Sequence, residues 1–175
     1  MNNAEKQLFV KKLDSDSDDE LAKTLHYYRS DADLELLPRI LGLLVSDRSD
    51  AVKDCVVTLC GDIRDIDAAN VVFDFMAQTH LPGMRCRLMQ SLCLTGLDFA
   101  HNAERIVGIL ISTDDFEMAF EALSLLENCT ESLSESVADT LHDAVSAAEM
   151  SAPESVRSLY KAAREYLLVK SRVNA

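Results

Sequence analysis

The sequence predicts an all-α fold: an α-α superhelix (solenoid) of about five helical hairpins, in one domain spanning residues 1–175. Three observations lead there. The first is a recurring pattern, in which a short apolar run ends in a polar turn and an apolar-basic pair opens a second apolar run. The clearest copy runs from Leu36 to Ile63, and weaker ones follow at Val71–Gly96, Glu104–Cys129 and Leu141–Leu167. The second helices begin at Leu21, Val52, Met84, Met118 and Val156, at intervals that grow from 31 to 38 residues. A period of this size marks stacked hairpins, because one hairpin cannot bury both its apolar faces. The second observation is composition. Hydrophobic residues make up 48% of the chain, with 5 Gly, 3 Pro and no Trp, which suits long helices and short turns. The third is that β-branched runs such as Cys55–Cys60 and Val71–Phe73 sit inside a continuing helical period, so they read as buried helix.

The elements follow in order. Glu5–Leu13 reads as a short amphipathic helix with Leu8, Phe9 and Leu13 on its apolar side, and residues 1–17 as an N-terminal cap. Asp14, Asp16 and Asp18 have the spacing of the first three ligands of a calcium loop. The loop's glycine position is Asp19 and its closing glutamate position is Leu25, so calcium binding is not expected. Ser17 with Glu20 reads instead as a capping box for a helix over Leu21–Tyr28. Asp31 or Asp33 caps a helix running to about Val45, with Pro38 in its first turns, where a missing amide proton costs least. Ser46–Asp50 is a turn, and Ala51–Ile63 is a strong helix with Val52, Val56 and Leu59 on one face. The next hairpin pairs Ala68–Thr79 with Gly83–Thr95 across a break at Leu81-Pro82. Another pairs Asn102–Ile111 with Phe116–Asn128, capped by Thr113–Asp115. Ser132 with Glu135, and Ser151 with Glu154, are further capping boxes. They open Leu133–Ala148 and a final helix that reaches about Lys170, with residues 168–175 as a frayed tail. No Ser-, Gly- or Pro-rich linker interrupts the array.

The Leu36–Ile63 unit resembles a HEAT repeat. Leu36, Leu37 and Pro38 fill that pattern's first helix, Asp47 its turn, and Val52-Lys53 the pair that opens its second helix. Met84-Arg85 and Val156-Arg157 supply the same pair in other units, whereas Met118-Ala119 lacks the basic member. The resemblance covers roughly Asp18 to Leu167. It implies that Asp47 and Lys53 hydrogen-bond between successive repeats. It also implies that the second helices line a concave face, where Asp54, Arg85, Arg87, Gln90, Glu117 and Glu121 would be exposed as candidate partner contacts.

Charge and chemistry narrow the function. The formal net charge of −13 opposes binding to nucleic acid phosphates and to anionic membranes, and it steers basic partners inward. Five cysteines without a C-x-x-C, and four scattered histidines, give neither a zinc spacing nor a disulfide framework. No apolar run is long enough to cross a bilayer and the first residues lack a secretory pattern, so a cytoplasmic protein is expected. No phosphate loop, G-x-S-x-G or H-E-x-x-H occurs. The His-Glu dipeptides by which some HEAT-like enzymes bind iron are missing as well, and the acidic balance disfavours a HEAT-like DNA-base excision enzyme. His142-Asp143, and Cys93 with His101, are the nearest approach to catalytic pairs, each without a third orienting group. Met76, Met84, Met89 and Met118 fall at core positions. The expectation is a non-catalytic protein-interaction module without cofactor or metal: an adaptor, assembly factor or chaperone whose partner is another protein. The alternatives are an acidic inhibitor or immunity protein that masks a basic enzyme, and a bilin-lyase-like enzyme.

Overall fold

The computed structural model describes residues 2–28, 34–129 and 133–173. Among them lie ten α-helices and no strand, as the helical periodicity predicts. They are α1 (Asn3–Ser15), α2 (Asp18–Tyr27), α3 (Leu37–Gly42), α4 (Asp50–Gly61), α5 (Ile66–Gln78), α6 (Pro82–Cys93), α7 (Ala103–Ile111), α8 (Phe116–Glu127), α9 (Glu135–Glu149) and α10 (Glu154–Val173). Short 3-10 turns extend α3 over Leu43–Val45 and precede α7 over Ala100–Asn102. None of the described helices is long and apolar enough to cross a membrane.

The helices divide into two compact units, Met1–Leu97 and Asp98–Ala175. In the first, α3 packs on α5, and α2 packs on α4, which packs on α6. Alternate helices therefore share a layer. In the second, α7 packs on α9 and α8 on α10, while the hairpin partners α7–α8 and α9–α10 also face each other. Amphipathic stripes explain this order, since each helix buries residues three and four apart. Val52, Val56 and Leu59 of α4 are fully buried, as are Val72 of α5 and Leu88, Met89 and Leu92 of α6. In the second unit Ile106, Leu110, Ala122, Leu126, Val145, Val156, Ala163 and Leu167 are likewise buried. Met76, Met89 and Met118 are buried core residues and Met84 is half-buried.

Several local expectations are corrected. Leu8 is exposed, whereas Phe9 and Leu13 are buried, and the Phe9 ring lies 4.2 Å from that of Tyr28. Residues four apart share one face of a helix, so burying positions 9 and 13 turns position 8 outward. The capping box of α1 is Asn2 with Glu5, each side chain bonding the other's backbone amide at 2.9 and 2.8 Å. Ser17 precedes α2, but its side chain makes no cap bond. Ser134 caps α9 through the Val137 amide. Ser151 ends the preceding helix by donating to the Ala148 carbonyl, and the Pro153 carbonyl opens α10. The expected caps at Asp31, Asp33 and Ser132 lie outside the described residues. Helix α10 continues through the stretch expected to fray, as far as Val173.

Among the described residues, Arg48 and Arg64 link successive hairpins, and neither Asp47 nor Lys53 makes such a bond. Arg48 donates to the carbonyls of Leu13 and Asp16 and to the Asp18 carboxylate, each at 2.9 Å. The other Asp18 oxygen accepts the Ser49 amide at 2.7 Å. One guanidinium thus ties the end of α1 and the start of α2 to the turn before α4. Arg64 does similar work at the next turn, reaching the carbonyls of Ile63 and Thr95 at 3.0 and 2.9 Å. The Ser49 amide first, and Arg48 second, hold the Asp18 carboxyl below its ordinary range. A depressed folded value contributes stability that is complete above the ordinary carboxylate value of about 4 and is lost as pH falls through the folded one. The stability gap between the wild type and Asp18→Asn is therefore expected to be constant near neutrality and to narrow below about pH 4. Urea titrations at a series of pH values measure it, and a gap that widens on acidification would contradict the assignment.

Candidate functional site

The C-terminal halves of α4 and α6 approach closely. Gly61 lies at this contact, where a Cβ would meet the Ser91 carbonyl at 3.4 Å and the Leu94 side chain at 3.8 Å, ordinary van der Waals distances. Beside this contact lies an open groove of about 340 Å³. Val57 and Thr58 of α4 form one wall, and Arg87, Gln90 and Leu94 form the other. Leu94, just past the end of α6, is 76% exposed. Asp62 and Arg64 close one end. Arg64 points its guanidinium at helix-end carbonyls, the place where the helix dipole favours a cation.

Three of the six expected contact residues come together here. Asp54 of α4 pairs with Arg87 of α6 at the edge of the groove, and Gln90 stands one turn further along α6. Arg85 is on the same helix, half-buried, with its Nε enclosed and lacking a hydrogen-bond partner among the described residues. Glu117 and Glu121 belong to α8 of the second unit. The expectation that all six are exposed needs correction. Asp54, Gln90 and Glu117 are exposed, whereas Arg85, Arg87 and Glu121 are half-buried. For Arg87 the reason is its pairing with Asp54, which folds the long side chain across the helix surface. Sequence reading missed Leu94, Val57 and Thr58, whose position beside the groove depends on how α4 and α6 meet.

The residues weighed for chemistry are placed as follows. His142 Nδ1 lies 3.3 Å from the exposed Asp143 carboxylate, one residue along the same helix. Cys93 belongs to the first unit and His101 to the second. His101 is exposed beside a hollow of about 310 Å³ that Glu104, Leu133, Ser134 and Val137 also line. Asp14 bonds Arg39 and Asp18 bonds Arg48, so two of the three calcium-spaced carboxylates serve as ion-pair partners. Among the described residues no three His, Cys, Asp or Glu gather as they would around a metal ion. The five cysteines are free thiols. Burial pushes Cys60 up to about 12, and burial aided by the Asp98 charge does the same to Cys129, so neither thiol is a ready nucleophile. Tyr166 donates to the Cys129 carbonyl at 2.7 Å, and its own phenol is also raised to about 12, chiefly by burial. What the α4–α6 groove offers is the apolar side chains of Val57 and Leu94 on facing walls, an ion pair at its rim, the Gln90 amide and the hydroxyls of Thr58 and Ser91. That suits a polypeptide laid across two helices. No protein-family model matches the chain, and no curated protein matches it.

Proposed function

We propose that the chain is a HEAT-like, non-catalytic interaction module that binds another protein through the second helices of its hairpins. It would act as a cytoplasmic adaptor, assembly factor or chaperone. The observation that carries this reading is the groove between α4 and α6, with exposed Leu94 on one wall and the Asp54–Arg87 pair at its rim. The alternate-helix packing within each unit supports the HEAT-like assignment, because that packing leaves one layer's outer face open to a partner. A groove already formed on packed helices loses little conformational entropy on binding. Five free thiols accord with a reducing cytoplasm.

The test is Leu94→Glu. The side chain is mostly exposed, so melting should be almost unchanged. Proteins captured from the native lysate by wild type and variant are compared by quantitative mass spectrometry. A partner retained by wild type through a high-salt wash and lost by the variant supports the groove. Capture that is identical in both refutes it. The net charge of −13 favours a second reading, an acidic inhibitor of a basic enzyme. In that case one basic partner is released by salt and ignores Leu94→Glu.

A further inference from the structure

The outward face of α8 holds an aromatic pair that the core does not use. Met118, Ala119, Ala122, Leu123, Leu125 and Leu126 supply the buried side of this helix. Phe116 and Phe120 stand on the other side, 50% and 48% exposed. Their rings stack on each other, with centroids 6.3 Å apart and planes 19° apart. Helical geometry puts Glu127 in line with the two rings and Glu117 and Glu121 along one flank. Asp114 and Asp115 precede the helix, both exposed. From Asp114 to Asn128 there is no Lys, Arg or His.

Charge decides what can cover such a face. A second copy would bring the same acidic helix and a net charge of −13, so like charges would oppose self-association here. A nucleic acid or an anionic membrane is repelled in the same way. A polypeptide carrying Lys or Arg beside apolar side chains matches both features. Its apolar groups remove two phenyl rings from water, its cations pair with carboxylates, and a cation over a ring face adds attraction of its own. We propose that α8 is the docking face for a basic amphipathic segment of a partner protein. The apolar side chains of that segment cover Phe116 and Phe120, and its cations lie against Glu117 and Glu127. This face is distinct from the α4–α6 groove, and the proposal does not rest on it.

The experiment uses two fluorescein-labelled helical peptides of equal length and identical leucine spacing, one with lysine and one with glutamate at every polar position. Fluorescence anisotropy measures their binding to the full chain. The lysine peptide is expected to bind and the glutamate peptide not to. Phe116→Ser with Phe120→Ser leaves the charge untouched, yet it should weaken binding by about tenfold or more, the loss that marks a central aromatic contact. Glu117→Gln with Glu127→Gln should weaken it less and flatten its salt dependence. Circular dichroism melts check that each variant is folded, and Phe116→Ala with Phe120→Ala replaces the serine pair should that variant melt early. Equal affinity for wild type and the phenylalanine variants would overturn the proposal, since it would reduce the binding to bulk charge. So would loss of binding in Leu94→Glu alone, which would put the peptide in the α4–α6 groove. Equal binding of the glutamate peptide, or no saturable binding of the lysine peptide, also counts against it. A wild-type dimer in sedimentation that the phenylalanine variants abolish would make a second copy the occupant instead.

Discussion

Leu59→Ala is expected to lower the unfolding free energy by about 3 kcal/mol, within the range for emptying a buried leucine site. Leu59 is fully buried on α4, the helix that packs against both α2 and α6. Removing its branched end takes away apolar contact and leaves a cavity, and a helix held from two sides cannot close in to fill it. Thr58→Ala is the internal control. Thr58 is the preceding residue, faces out, and its hydroxyl donates to the Asp54 carbonyl of its own helix. Alanine there should change stability by less than about 0.5 kcal/mol. Urea titrations followed by far-ultraviolet circular dichroism suit a chain without tryptophan. A Leu59→Ala loss no larger than that of Thr58→Ala would mean that α4 is not the packed centre of the first unit.

Arg48→Ala is the second large effect, expected at about 2 kcal/mol. The guanidinium serves two backbone carbonyls and one carboxylate, and its side chain is only 23% exposed. Alanine strands the carbonyls of Leu13 and Asp16 in a partly enclosed place, and unmade bonds there cost more than made ones contribute. Arg48→Lys should recover less than half of the loss. A single ammonium cannot reach acceptors spread around a planar fork. The same urea titrations measure both variants, and full rescue by lysine would show that charge alone matters at this turn.

The helical part of the architecture was legible from local pattern. The helix over Ala51–Ile63 is found at Asp50–Gly61, and the one over Phe116–Asn128 at Phe116–Glu127. Both carry dense apolar stripes, and a stripe constrains helix type and buried face before any tertiary contact exists. End signals were less dependable. Of the serines read as capping boxes, Ser17 makes no side-chain cap bond and Ser151 closes the preceding helix, whereas α9 is capped by Ser134, which no capping-box pattern marks. Which serine caps a helix depends on where the preceding chain turns.

The surface residues divide on the same principle. Asp54 and Arg87 were picked separately as exposed positions on two second helices, and the fold joins them into one ion pair. Leu94 and the Phe116–Phe120 pair looked in sequence like ordinary members of apolar stripes. Their exposure becomes visible only once the core is seen to be filled by other side chains of the same helices. By itself, then, the sequence determined an all-α chain, the order and rough limits of its helices, and most of the core, because periodicity is a property of neighbours three and four apart. Only the tertiary structure decided that Arg48 and Arg64 join the turns, that Leu8 faces out, and that a groove opens beside Gly61. Those outcomes depend on the angle and distance at which separate helices meet, and close packing sets these jointly over many side chains.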